Sequence, residues 1–399
     1  MSELAGKDAR TYRLSSIDFL RGLVIVVMAI DHVRDFFLSG ATLNTLGDPD
    51  TSLGVYVTRW ITHFCAPVFI FLAGTSAGLM AARKTPGDLG LFLFKRGMWL
   101  IFVEVVVIST AWTFAPMGMA QIGGATLVGL QVIWAIGVSM AMLAFAQLLG
   151  RAPCLYLGIA IVVLHNLLDP LGSNADLFRE GPLWGLLFFQ MSINLGAVLV
   201  VEIYPIFAWF GVMLIGFGSS FIFEKNPEER DRILMRIGIF SIAVFFLLRS
   251  ISFYGDPNDW NISSAGVIAT IRDFFNLTKY PPSLLFLLIT LGPMAVVCSR
   301  ANRLKGWLKD TLVMFGRVPF AFYVAHLYLI HFLSIGLATL QGFDPGEFLV
   351  IFMFYPEGYG VGLAGVYLTW IIVLILLYPL CRWLANIKQR RKDWWLSYL

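Results

Sequence analysis

Apolar residues in this chain fall in blocks of roughly 18 or more, separated by short polar stretches. A helical block of that length, rising ~1.5 Å per residue, crosses ~30 Å of hydrocarbon. Ten such blocks are predicted, at roughly 16–37, 56–80, 91–113, 126–149, 153–168, 203–223, 233–255, 281–298, 311–340 and 360–381. An eleventh, 183–201, carries Gln190, Ser192 and Asn194. It is read as a re-entrant or interfacial segment, because irregular backbone at membrane depth has to line protein or water. The predicted fold is all-α: a polytopic integral membrane helix bundle of about ten transmembrane helices plus that one segment. It forms a single domain over residues 1–399, with short tails at 1–15 and 382–399.

Charge sets the topology. Lys and Arg gather in the N-terminal tail, at Arg83/Lys84/Lys95/Arg96, at Arg151, at Lys225–Arg236, at Arg300–Lys309 and at Lys388–Lys392. The loops at 39–55 and 341–359 lack them and carry acids. Cytoplasmic loops hold the positive charge, so both termini are expected inside and the number of crossings even. Counting 183–201 as a span would make it odd. Lys7, Arg10 and Arg13 before the run Ile17–Ile30 resemble a signal peptide, but Asp31, His32, Arg34 and Asp35 follow in place of a small-residue cleavage site. An uncleaved first helix is expected. The C-terminal Trp394, Trp395 and Tyr398 read as an interfacial anchor.

Composition agrees with this pattern. Of 399 residues, 58% are apolar and only 14% charged, too few charges to cover a soluble protein of this size. Mean hydropathy is +0.78. The net charge of +4 lies at segment ends, so no nucleic-acid partner is implied. Cys65, Cys154, Cys298 and Cys381 are scattered through apolar segments and read as small core residues. No His-x-x-x-His or Glu-x-x-His pair falls on one helix face, His326 and His331 are five apart and point in different directions, and no metal is expected.

Ionisable groups inside spans are costly and often functional. His32, His63, Glu104, Gln131, His165, Arg249, His326 and His331 fall in the outer half of the predicted bundle or near its middle. An excess of imidazole in one layer suggests proton handling. A histidine near a helix end is also commonly an interfacial or core residue, which fits His165 and His331 best. Glu104 and Arg249 could form an ion pair. On the first helix Asp18 and Arg21 are three apart and can pair. Arg21 and His32 are eleven apart, about three turns or ~16 Å. One helix thus holds a cation at the inner side and a base further out. Asp31 sits beside His32 and could raise its basicity. Pro67 frees the carbonyl of His63 and predicts a kink there. Gly74 to Gly78 is a small-residue packing face; such faces also permit a homodimer.

The stretches Ser16–Phe37 and Thr58–Gly78 together resemble the catalytic domain of heparan-alpha-glucosaminide N-acetyltransferase, and more closely the bacterial proteins sharing it. Further similar stretches are Tyr280-Pro-Pro-Ser-Leu-Leu, Phe315-Gly-Arg-Val-Pro through His331, Tyr378-Pro-Leu-Cys-Arg and the Asp393–Leu399 end. Arg21-x10-His32 is also similar to a motif of the wider membrane acyltransferase superfamily. The resemblance implies a bacterial inner-membrane enzyme. Acetyl-CoA would be its cytoplasmic donor, and an amino or hydroxyl group of a sugar or glycan its extracytoplasmic acceptor. In the mammalian enzyme the histidine regarded as catalytic lies in the loop after the first helix. The matching stretch here, roughly Ser39–Thr45, has none. His32 and His63 stand where that enzyme has an asparagine and an aspartate.

Residues and resemblance combine into one expectation. Arg21, Asp18 and Arg317 would form the donor end, with His32, His63 and Asp31 as the catalytic group. Glu104, Gln131, Arg249 and His326 are further polar candidates, and membrane lipid is the surrounding partner. The main alternative is a proton-coupled secondary transporter with the histidines as relay, although no repeat symmetry is visible. A non-catalytic membrane scaffold is a third reading.

Overall fold

Four helices begin at a side chain that caps the first turn. The hydroxyls or amide of Ser52, Thr85, Asn226 and Ser283 accept from the backbone N–H groups of Val55, Asp88, Glu229 and Phe286. Pro86 and Pro227 follow two of these caps at the position where proline costs no hydrogen bond. The computed structural model describes residues 2–40, 45–170, 182–348, 355–391, 393 and 396. The expected aromatic anchor at Trp394, Trp395 and Tyr398, and the side chains of Lys7, Arg10 and Arg13, lie outside the described residues.

The first half contains α1 (Ser2–Phe37), α2 (Leu53–Thr62), α3 (Cys65–Ala81), α4 (Pro86–Phe102), α5 (Ser109–Thr113), β1 (Thr126–Leu130), α6 (Val132–Ala146) and α7 (Arg151–Leu164). Then come α8 (Pro182–Phe188), β2 (Met191–Asn194), β3 (Val198–Glu202), α9 (Ile206–Gly218), α10 (Pro227–Ile251) and α11 (Val267–Phe274). The chain ends with α12 (Leu284–Arg300), α13 (Trp307–Arg317), α14 (Pro319–Leu340), α15 (Pro345–Phe348) and α16 (Leu363–Arg390).

The protein is an all-α helical membrane bundle. Among the described residues seven helical stretches are long and apolar enough to cross a membrane: Leu53–Ala81, Val132–Leu149, Arg151–Leu168, Ile206–Glu224, Pro227–Ile251, Pro319–Leu340 and Leu363–Arg390. α1, α4 through α5, and α12 fall on the three remaining predicted segments. The core centres on α9, where Trp209, Val212, Met213 and Leu214 have no exposed surface. Its Gly216 meets Gly74 of α3 closely: a Cβ at either glycine would fall 2.1 Å from a backbone oxygen of the other helix. All four cysteines are free and buried.

Local departures from the sequence expectation have physical causes. The 56–80 block breaks at His63 and Phe64, the turn that Pro67 deprives of a hydrogen bond. The 311–340 block is two helices, because Val318 leaves the helical region (φ −130°) just before Pro319. The 126–149 block starts as strand β1, not helix. Segment 183–201 is a short helix followed by a hairpin: β3 pairs antiparallel with β2 and parallel with β1. Its Gly196, left-handed (φ 80°) between β2 and β3, is the turn signal in the sequence that the apolar run around it overshadowed.

Candidate functional site

One end of the bundle gathers cations around a carboxylate. Asp18 and Arg21, one turn apart on α1, pair at 3.5 Å. Arg21 also donates to the Ser76 hydroxyl of α3, whose own proton goes to the Leu72 carbonyl at 2.6 Å. Arg317, at the end of α13, approaches Asp18 at 4.0 Å, with its side chain 42% exposed. Lys388 of α16 donates to the Arg317 carbonyl at 3.0 Å and lies within electrostatic reach of Arg96. Three cations thus surround one acid, leaving net positive charge.

The crossing of α1 with α13 makes this convergence possible. Gly22 packs on the Leu312 carbonyl and Gly316 on the Asp18 carbonyl. Backbones that close exist only where side chains are absent.

Three turns further along the unbroken α1, His32 meets His326 of α14, with Nδ1 and Nε2 2.6 Å apart and the rings stacked. The other nitrogen of His326, Nδ1, faces the carbonyls of Tyr323 (2.5 Å) and Phe322 (3.1 Å). Carbonyls only accept, so His326 Nδ1 carries the proton and its Nε2 is the acceptor. His32 Nδ1 therefore donates to it, and His32 Nε2 keeps its lone pair. That nitrogen has no hydrogen-bond partner among the described residues. His32 is 9% exposed, between the edges of Trp112 and Tyr323 at centroid distances of 5.0 and 6.1 Å. The Tyr323 hydroxyl is buried without a hydrogen-bond partner among the described residues.

Asp31 points elsewhere. It accepts from Arg59 of α2 and contacts Arg34 at 3.2 Å, and Arg34 also pairs with Asp35 at 2.5 Å. This ion cluster ties α1 to α2 and leaves His326, not Asp31 or Glu104, as the group that sets the His32 tautomer. His63 does not reach His32 either. Its Nδ1 bonds the Arg59 carbonyl at 2.9 Å and its ring abuts Phe286.

The Glu104–Arg249 ion pair does not form. Glu104 lies in a π-helical turn, Val103–Ile108, and accepts from the Trp134 N–H at 2.8 Å. It caps α6 from outside, because Gln131, the N-terminal flanking residue, makes no side-chain cap. Arg249 donates instead to the carbonyls of Phe274, Asn258, Asp273 and Asn276. His331 places its two nitrogens against the carbonyls of Ala111 and Phe348. His165 bonds the Val162 carbonyl, apart from the His32 cluster. The five histidines therefore do not form one relay; His32 and His326 form one pair.

Several residues enter that sequence reading had not singled out. Lys279 and Tyr280, in the segment between α11 and α12, come close to this layer, and Lys279 acts electrostatically on Asp31, His32 and His63. Burial raises the Tyr280 phenol, but Lys279 and Arg59 beside it outweigh that and lower its pKa. Asp256 in the same region is raised by burial, opposed by hydrogen bonds from Ser283, Thr278 and Asn258. Glu202, closing β3, is 1% exposed, and burial, opposed by the Trp134 indole N–H, pushes its pKa up to about 8. The signal for Arg59 and Lys279 was their sign: they are cations next to loops that the charge pattern predicts to be outside, where Lys and Arg are expected to be scarce.

The family described as heparan-alpha-glucosaminide N-acetyltransferase, catalytic, matches residues 13–255, more than half of the chain. The match takes in α1 to α10, hence Arg21, His32 and Arg59 but not His326 or Lys279. No curated protein matches the chain.

Proposed function

The chain belongs to the heparan-alpha-glucosaminide N-acetyltransferase catalytic family, and from that premise we propose that it is a membrane acyltransferase using acetyl-CoA. All of residues 1–399 serve this one activity. The basic end faces the cytoplasm of a bacterial cell with both termini, and the acceptor is an extracytoplasmic sugar or glycan. The observation that supports this reading most is the His32–His326 pair, about 16 Å along one helix from the Asp18/Arg21/Arg317 cluster.

Arg21, Arg317 and Lys388 would hold the phosphates of CoA, where charge-assisted hydrogen bonds are strongest. The thioester arm would run beside α1 toward His32. His32 Nε2 would take the proton from the acceptor amine or hydroxyl as that group attacks the thioester carbonyl carbon. The carbon–sulfur bond then breaks, and the departing CoA thiolate takes a proton, returning His32 to its neutral form. His326 would hold the imidazole in the tautomer that leaves Nε2 basic. Arg59, Arg34 and Asp31 would fix the helix ends around it. Positioning the reactants and moving one proton are the enzyme's share, and the thioester supplies the driving force.

Acetyl-CoA binding tests this directly. Purified full-length protein should bind labelled acetyl-CoA, and Arg21→Ala should weaken binding about tenfold, as loss of one charge-assisted contact implies. Absence of binding would remove the donor and favour the transporter alternative.

A further inference from the structure

A polar cleft of about 480 Å³ opens around the segment between α11 and α12, lined among others by Asn258, Asp259, Asp273, Asn276, Lys279 and Tyr280. Its size falls within the roughly 300–1,000 Å³ of small-molecule sites, but its lining is not their usual apolar one. Leu277 is the one apolar aliphatic side chain in it.

The walls are held from behind. Arg249, 1% exposed, binds the backbone carbonyls of Asn258, Asp273 and Asn276 at 2.6–3.4 Å. Asp256 accepts from the backbone N–H groups of Asn258 and Thr278 and from the hydroxyls of Thr278 and Ser283. Two charged side chains therefore fix the backbone at Asn258, Asp273, Asn276 and Thr278, four of the residues that line the cleft. Such preorganisation lowers the entropy a bound ligand would have to overcome. At one side Lys279 lies over the Tyr280 ring, 5.0 Å from its centroid. Tyr56 and Trp60 of α2 donate to the carbonyls of Arg272 and Phe275, which ties the cleft segment to the helix whose Arg59 pairs with Asp31, the neighbour of His32.

We propose that this cleft is the acceptor subsite, and that it selects an uncharged or amine-bearing saccharide over an anionic one. The inference rests on the acyltransferase reading. Carboxylates, amides and hydroxyls in one open cleft offer donors and acceptors in the mixture that neighbouring sugar hydroxyls require. Two carboxylates, Asp259 and Asp273, face one ammonium, so the balance favours a neutral or cationic ligand and opposes sulfate or uronate groups. An amine drawn to the carboxylates is delivered on the side of Lys279, which repels its protonated form and favours the neutral nucleophile beside His32.

The test uses purified full-length protein, without acetyl-CoA, and three probes in equilibrium titration: a glucosamine disaccharide, its N-acetylated form and a sulfated uronate–glucosamine disaccharide. The glucosamine disaccharide should bind at least about tenfold more tightly than the sulfated one. In the double variant Asp259→Asn, Asp273→Asn that preference should shrink about fivefold or more. Asp259→Asn alone, at an exposed residue, should shrink it in the same direction, which covers the case that the double variant fails to fold. Equal or tighter binding of the sulfated probe, an unchanged preference in the variants, or no binding of any probe would overturn the proposal. If acetyl-CoA binds normally while the saccharides do not, the cleft reading fails alone. If the glucosamine disaccharide binds as expected while acetyl-CoA does not, the cleft is a saccharide site but not an acceptor subsite, and that assignment is overturned together with the acyltransferase reading.

Discussion

His32→Ala should lower acetyl transfer by roughly 10²–10⁴-fold, the usual contribution of a positioned general base. Donor binding should hardly change, because the Asp18/Arg21/Arg317 cluster lies three turns away on α1. His326→Leu should cost less. It leaves the His32 base in place but removes the acceptor that holds its Nδ1 proton, so the imidazole can exchange tautomers. The expected signature is a lower rate together with an altered basic or acidic limb in the pH–rate profile, which a purely structural loss would not produce. His326→Gln, able to accept the same hydrogen bond through its amide oxygen, should recover part of the rate. A His32→Ala enzyme with wild-type turnover would remove the base assignment.

The second large effect is on stability. At Gly22 an added Cβ would lie 1.7 Å from the Leu312 carbonyl oxygen, and at Gly316 one would lie 1.8 Å from the Asp18 carbonyl oxygen. Both obstacles are backbone atoms, which cannot rotate aside as a side chain can. Overfilling a packed interface typically costs ~1–3 kcal/mol, and the absence of any soft neighbour places Gly22→Val at about 3 kcal/mol or above. The forced separation of α1 from α13 would also part Asp18 and Arg21 from Arg317. Gly22→Val and Gly316→Val should each lower the unfolding midpoint in detergent and weaken acetyl-CoA binding together. A variant with wild-type midpoint and wild-type binding would show that the crossing is looser than this geometry.

The bundle was legible in the sequence because the physics behind it is one-dimensional. Span length depends on residues read in order, so each of the ten blocks carries a helix where the apolar pattern put one. The departures lie where the apolar pattern carries no conformational information: β1 at the head of 126–149, the hairpin in 183–201, and the break at Val318. Asp18 and Arg21 could be paired from spacing alone, since both stand on one helix. Partners on different helices could not. Nothing in sequence spacing says that His32 meets His326, 294 residues away, and not His63, or that Glu104 caps α6 while Arg249 collects loop carbonyls. The cleft was hidden for the same reason. Asn258, Asp273 and Thr278 read as ordinary loop residues until Arg249 and Asp256 gather their backbones.

Proteoliposomes of one orientation, with labelled acetyl-CoA on the basic-end side and a glucosamine disaccharide only on the other, test the central idea most directly. Wild-type protein should produce labelled N-acetylated sugar in the compartment that never received acetyl-CoA, and His32→Ala protein should not. Product formed only when both substrates share a compartment, or formed equally by the variant, would contradict it.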